Sequence, residues 1–392
     1  MMRVDAELAL YAGAGTRLLQ YGVDTGAGTL EMRGCADLPA GVQYAWPHPR
    51  LPFLYVACSN GSPGVLGDTH YAVTLRIDTA TGALRPHGEP VSLPSRPIHI
   101  TVDGRGEHAL IAYNDPSGLT VHQIGDDGPL DSNVRQAAPL DVGIFAHQVR
   151  VTRSDRTVIL VTRGNDARKG RPEDPGALKV YDYRDGQLAN RATVAPNGGH
   201  GFGPRHLDFH PTQPWIYVSL ERQNRIHTYY AEEGVPEPAP RFVTATLAEP
   251  QNERPEQRAG TIHVHPRGHV VYVANRAHER KSMNGRKVFA GGESNIGVYA
   301  VDDRTGEPCA IQHIDTRGFV PRTFSIDPGG RLLVVGNSET FAVETEGRVE
   351  DVQPNLALFR ISDDGSLTYI QTYTVDTGGA TLFWTGLMRV PS

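Results

Sequence analysis

Along most of the chain, apolar residues recur at every second position or in runs of three, broken at short intervals by Gly, Pro, Asp and Asn. Alternation of period two marks half-buried β-strands, and short apolar runs between turn residues mark fully buried ones. The pattern is also repeated. RHLDFHPTQPWIYVSLE (205–221) aligns without gaps on QYAWPHPRLPFLYVACS (43–59), IHITVDGRGEHALIAYN (98–114) and HQVRVTRSDRTVILVTR (147–163), and on GTIHVHPRGHVVYVANR (260–276) and RTFSIDPGGRLLVVGNS (322–338). In each 17-residue unit, positions 3 and 5 are apolar (Pro47 is the exception), positions 6–10 are turn-like and positions 12–14 are an apolar run. The pattern predicts a strand, a short turn and a buried strand. A second hairpin follows each unit, as in ALKVYDYRDGQLANRATV and NIGVYAVDDRTGEPCAIQHI, with Asp-Gly or Thr-Gly at its turn. Two hairpins make a four-stranded sheet. Successive units start 55, 49, 58, 55 and 62 residues apart, the period of a β-propeller blade.

Six first hairpins face seven second hairpins. The unmatched LLQYGVDTGAGTLEMRG (18–34) lacks an inner strand, and ATLFWTGLMRV (380–390) has no hairpin after it. Joining them predicts an all-β, seven-bladed β-propeller of four-stranded blades, one domain over 1–392, with the ring closed by the N- and C-terminal strands. Closure also hides two sheet edges.

The repeat locates a site. With the turn at positions 6–10, positions 1 and 17 lie at the other end of the hairpin, and an innermost first strand brings both from every blade to one rim. Position 1 carries Gln43, Ile98, His147, Arg205, Gly260 and Arg322; position 17 carries Ser59, Asn114, Arg163, Glu221, Arg276 and Ser338. Four arginines, a glutamate and a histidine thus collect where the rest of the repeat is apolar or turn-forming. Arginine grips carboxylate or phosphate bidentately. A glutamate among arginines stays ionised, as general base or as counter-ion, and His147 is an acid or base near neutral pH. The plainer alternative is an ordinary salt bridge within one blade between Arg205 and Glu221.

Composition sharpens this. The net charge of −6 over 392 residues excludes a general nucleic-acid binder, so an anionic ligand depends on the local arginines. With 43 Gly and 29 Pro the chain is rich in turns. No run approaches the roughly 18 apolar residues of a membrane helix, and MMRVDAELALYAG lacks a leader-like apolar run. Cys35, Cys58 and Cys309 fit neither a disulfide framework nor a zinc pattern. A cytoplasmic protein without metal or other cofactor is expected. His48, His210 and His265 share position 6 beside the turn and read as turn-stabilising rather than metal-binding. GGHGFG (198–203) precedes a strand rather than a helix, which makes it a crossing between blades instead of a phosphate loop, with His200 as a ligand contact. Two Gly-, Arg- and Lys-rich insertions on the site rim, 164–177 and 277–295, are candidates for a partial lid.

GPRHLDFHPTQPWIYVSLE (203–221), followed by RIHTYY (225–230), resembles the signature of the seven-bladed lactonase family, which includes propeller-type 6-phosphogluconolactonases and carboxy-cis,cis-muconate cyclases. The resemblance spans nearly the whole chain. It implies a catalytic set of His147, Arg205, Glu221 and Arg276, the four residues the repeat already brings to the rim. It implies hydrolysis of a small anionic lactone, such as a sugar-acid lactone. Glu221 or His147 would activate water, and Arg205 and Arg276 would hold the substrate anion and the oxyanion. Arg163, Arg322, Asn114 and His200 are expected to support substrate binding. Arg163, Arg322 and the two insertions depart from shorter family members and bear on the substrate. A cycloisomerase closing a carboxymuconate to its lactone needs similar groups. A non-catalytic propeller that binds a partner protein is the third reading.

Overall fold

The computed structural model describes residues 7–252 and 254–391. Residues 1–6, 253 and 392 lie outside that description, including the first part of the stretch searched for a leader and the two ends of the expected domain. The strand-turn-strand units form seven antiparallel sheets around a ring. Their innermost strands are Gly41–Pro47, Pro97–Val102, Ala146–Val151, Pro204–Phe209, Gln257–Val264, Pro321–Ile326 and Leu382–Arg389. We number the blades one to seven in that order. In blades one to six the strands follow outwards in chain order. In blade seven the C-terminal Leu382–Arg389 is innermost and pairs antiparallel with the N-terminal Leu8–Ala14. The ring closes as the hairpin count predicted.

The second strand of each blade carries the core. Phe53–Ser59 and Val270–Ala277 are buried along their whole length, which explains the unbroken apolar runs at positions 12–14. Each Val, Leu or Ile taken out of water there contributes roughly 1.5–3 kcal/mol. Polar side chains fix the blades in order. Tyr11, Tyr55, Tyr217 and Tyr272 donate their hydroxyls to the carbonyls of Gly82, Gly128, Gly306 and Gly365, each in the outer hairpin turn of the next blade. The position-6 histidines behave similarly. His48 Nδ1 accepts the amides of Arg50 and Leu51 within its own turn, and Nε2 meets the Gly106 carbonyl of the next blade. His265 repeats this with the amide of Arg267 and the carbonyl of Gly330. These histidines stabilise turns, as expected, and also bind one blade to the next.

One feature of the inner strands was not visible in the repeat. In every blade the register slips at position 1. Pro204 pairs with Leu220 and His206 with Ser219, which leaves Arg205 unpaired between them. The same bulge isolates His147, Arg322, Gln43 and Ile98 in blades three, six, one and two. It falls at Gly260 and Thr261 in blade five and at Phe383 in blade seven. A β-bulge inserts one residue without a ladder partner and re-aims its side chain. A straight ladder with position 1 opposite position 17 is therefore replaced by a ring of seven bulges, whose side chains collect at the rim of the channel.

Candidate active site

Glu221 follows the second strand of blade four, and its backbone ties two blades together: its amide donates to the Gly203 carbonyl and its carbonyl accepts from the Ala259 amide. Its carboxylate is the hub of the site. Oε1 accepts from Arg276 Nη2 of blade five at 2.5 Å and lies 3.3 Å from Arg205 Nε of blade four. Oε2 accepts from Arg163 Nη1 of blade three at 2.5 Å. The ion pair envisaged within one blade is thus a junction of three. Glu221, Arg205 and Arg276 are buried, and Arg163, a fifth exposed at its side chain, lies with Cζ 4.2 Å from the centre of the Phe145 ring. Burial alone would raise the Glu221 pKa, but Arg163, Arg276 and Arg205 outweigh it and hold the carboxyl well below the usual range. Burial and Arg276 pull Arg205 down to about 9, which leaves it charged at neutral pH.

Two further guanidiniums stand close by. Arg322 has Cζ 3.6 Å from the centroid of the Phe383 ring, and Arg96, only 4 % exposed, has Cζ 5.8 Å from the same centroid. Burial pulls Arg96 down to about 10, and burial together with Arg205, Arg276 and Arg96 pulls Arg322 well below its usual value. Three guanidiniums therefore contact one carboxylate, and two more, Arg322 and Arg96, stand beside them, in a protein whose net charge is −6. Sequence reasoning missed Arg96, which precedes Pro97 two residues ahead of its unit. It also missed Phe383, because blade seven had no complete unit to align.

His147 comes from the bulge of blade three. It is buried, and its Nδ1 has no hydrogen-bond partner. Burial and Arg205 hold its pKa well below 6.5, so the ring is neutral at pH 7. His206 lies 5.2 Å from it, centroid to centroid, and continues to His99 at 6.1 Å and Tyr44 at 6.4 Å. Tyr44 in turn packs on Trp384 at 6.3 Å. These buried rings pack together next to Arg205.

The remaining expected members fall elsewhere. Asn114, at the end of the second strand of blade two, is paired through its backbone with Ser117 and makes no side-chain hydrogen bond or ion pair with the cluster among the described residues. His200 is more than half exposed on the crossing between blades three and four, 3.9 Å from Glu173, and does not join the arginines. The short 164–177 insertion is pinned instead by Arg222, which binds Asp166, Glu173 and the Arg163 carbonyl. The 277–295 insertion begins at the site, where burial and Arg276 push His278 down to about 4. It then forms a hairpin, Arg280–Met283 with Arg286–Phe289. A second hairpin missed from sequence, Phe341–Thr345 with Arg348–Val352, packs against it through Phe289, Phe319 and Phe341 and through Arg286–Asp351. A cleft of about 680 Å³ opens beside Glu221 between blades four and five, but Arg222 and Arg258, which line it, are already paired with acidic groups. Among the described residues, one group has metal-ligand spacing, Asp103, Glu107 and His108. It sits at the turn end of blade two, where Asp103 already accepts from Tyr183 and the amides of Glu107 and His108.

Comparison with known proteins agrees with this architecture. The family model described as lactonase, seven-bladed β-propeller, matches residues 8–352. The chain is 29% identical over 277 residues to a 6-phosphogluconolactonase of Bacillus subtilis, covering 68% of this chain and 70% of that protein. It is 25% identical over 353 residues to the 6-phosphogluconolactonase of Erwinia tasmaniensis, covering 90% of each. In fold, it superimposes on a periplasmic gluconolactonase of Pseudomonas aeruginosa with a TM-score of 0.73 at 20% identity, over 98% of this chain and 100% of that one.

Proposed function

The chain belongs to the seven-bladed β-propeller lactonase family, and on that premise we propose that it hydrolyses a small anionic lactone of the sugar-acid type at the arginine-lined rim. The observation that carries this reading is the imbalance at the site: three guanidiniums on one carboxylate and two more close by, beside a neutral imidazole with a free nitrogen. The Bacillus and Erwinia relatives are 6-phosphogluconolactonases, which makes 6-phosphoglucono-δ-lactone the first substrate to test.

The geometry supports a division of labour. Both oxygens of Glu221 are occupied by arginines and its basicity is suppressed, so it serves as counter-ion and anchor rather than as base. His147 takes the proton from water as the oxygen attacks the lactone carbonyl. Arg205 and Arg276 stabilise the oxyanion that forms there. The ring C–O bond then breaks, and the leaving oxygen takes the proton from the imidazolium, giving the hydroxy acid. No helix of the described residues is long and apolar enough to cross a membrane. The exposed free thiols of Cys35 and Cys309 support a reducing, cytoplasmic setting, which cell fractionation would check.

The test is a pH-stat assay on phosphorylated and neutral sugar lactones beside an absorbance assay on carboxymuconate. Acid release from lactones supports the proposal. Cyclisation of muconate without lactone hydrolysis would replace it by the cycloisomerase, and inactivity on all of them would leave a binding scaffold. Arg276→Ala is expected to lower kcat by about 10²–10³; full activity in that variant would remove Arg276 from oxyanion stabilisation. With the His147 pKa depressed, the neutral base persists as the pH falls through 6.5. The acid limb of kcat/KM should therefore lie below pH 6.5, and a limb at or above that value would argue against His147 as the base.

A further inference from the structure

The five arginines divide into two groups. Arg163, Arg205 and Arg276 share Glu221. Arg96 and Arg322 have no carboxylate partner among the described residues, and both lie against the Phe383 ring. Arg96 is fixed by Gln43, whose Oε1 accepts from Arg96 Nε at 2.9 Å. The Gln43 amide is itself held by the carbonyls of Gly41 and Gly61. One terminal nitrogen of Arg96, Nη2, is buried without any partner. A buried cation with an unused donor and no counter-ion is costly to keep, and Arg96 also lowers the basicity of the neighbouring Arg322. An incoming anion removes that cost.

We propose that Arg96, Arg322 and Phe383 form an anion subsite separate from the Glu221 junction, which holds a dianionic substituent of the substrate. This rests on the lactonase reading and deepens it. A single negative charge balances only one of the two guanidiniums. A phosphate monoester, with about −1.5 to −2 charges near pH 7, balances both and offers oxygens to the free donors. A substituent bearing carboxylates supplies the same chemistry. Gln43 is a positioning residue that sets the Arg96 fork, and Phe383 is the apolar wall on which both guanidiniums rest. The lactone carbonyl would then lie at the other side of the rim, with His147, Arg205 and Arg276.

The test compares Arg96→Met with the parent protein on three lactones: 6-phosphoglucono-δ-lactone, a lactone bearing two carboxylates, and neutral glucono-δ-lactone. The preference for the charged over the neutral lactone, as a ratio of kcat/KM, should fall by about 10–100-fold, with the change in KM, as expected for one charged hydrogen bond. Whichever charged lactone loses more identifies the substituent. A parallel fall on all three, or no change, would overturn the subsite. Titration with inorganic phosphate decides the question independently of turnover: binding should weaken at least tenfold in Arg96→Met, and unchanged binding rejects the proposal even if no lactone is hydrolysed. Hydrolysis that fails while phosphate binding responds to Arg96 would reject the lactonase reading instead. If Arg96→Met does not fold, Arg322→Met, at a less buried side chain, gives the same readouts.

Discussion

A Glu221→Gln variant is expected to lose about 10³ or more in kcat/KM and also about 3–5 kcal/mol of stability. The two losses share a cause. The substitution keeps the shape of the side chain and removes the only negative charge among the described residues in contact with Arg163, Arg205 and Arg276. Three guanidiniums drawn from blades three, four and five are then left to repel one another in a buried setting, with Arg96 and Arg322 adding to the field. Removing one partner from a buried ionic junction is far more damaging than replacing the whole junction, because the remaining charges stay desolvated. The arginines should also swing out of register with the substrate, which removes more than one stabilising donor at once. Urea unfolding midpoints and steady-state kinetics on the same preparations check both halves. If Glu221 were only a general base, Glu221→Gln would be inactive and as stable as the parent, and that result would refute the anchor. Added phosphate should recover part of the lost stability, since it supplies negative charge to the same cluster.

The members of this junction were legible because the propeller is a repeat. A charged residue at a fixed position of each unit stands out against six equivalent strands, and geometry then brings that position to one place. His147, Arg205, Glu221 and Arg276 were found in this way, and the structure gathers them into one buried cluster. The misses have physical causes of the same kind. Phe383 sits at the equivalent position of blade seven, but its hairpin partner is at the other end of the chain, so no local unit exists to align. Arg96 acts from outside the repeated positions, reaching the cluster along its own side chain. The bulge leaves no mark on hydrophobic periodicity, because it adds a residue at the strand end where the repeat was taken to begin. Asn114 differs: it shares position 17 with Arg163, Glu221 and Arg276, yet in blade two the neighbouring position 1 is the apolar Ile98, and among the described residues no side-chain hydrogen bond or ion pair joins it to the cluster. A position in the repeat fixes where the backbone goes; the length and charge of the side chain decide what meets there.

Acid should destabilise this propeller well above the pH at which carboxylates titrate. His99, His147 and His206 are 0%, 7% and 3% exposed and form one cluster of rings, with His206 in contact with both of the others. Burial is the main reason each is held well below 6.5. Arg150 reinforces it at His99, and Arg205 at His147 and His206. In the unfolded chain each takes a proton near pH 6.5, whereas in the folded protein each stays neutral well below that. The unfolded state therefore binds more protons, and stability rises with pH through this window. The contribution is present above pH 6.5 and is lost progressively as the pH falls. These three groups alone contribute a loss of about 4 kcal/mol per pH unit once the unfolded histidines are fully protonated, and His227 and His278, each held near 4, add to it. Glu221 acts in the same direction only at lower pH, since its unfolded counterpart titrates near 4.3. Urea unfolding at pH 7.5, 6.5 and 5.5 therefore isolates the histidines. His99→Phe, which removes a ring with both nitrogens unpartnered, should reduce the slope by one histidine's share, about 1.4 kcal/mol per pH unit, while leaving the arginine junction in place. A midpoint that stays level from pH 7.5 to 5.5 would mean that the three rings are solvated or already charged in the folded protein. His147 would then lose the neutral, unpartnered nitrogen on which its role as the base depends.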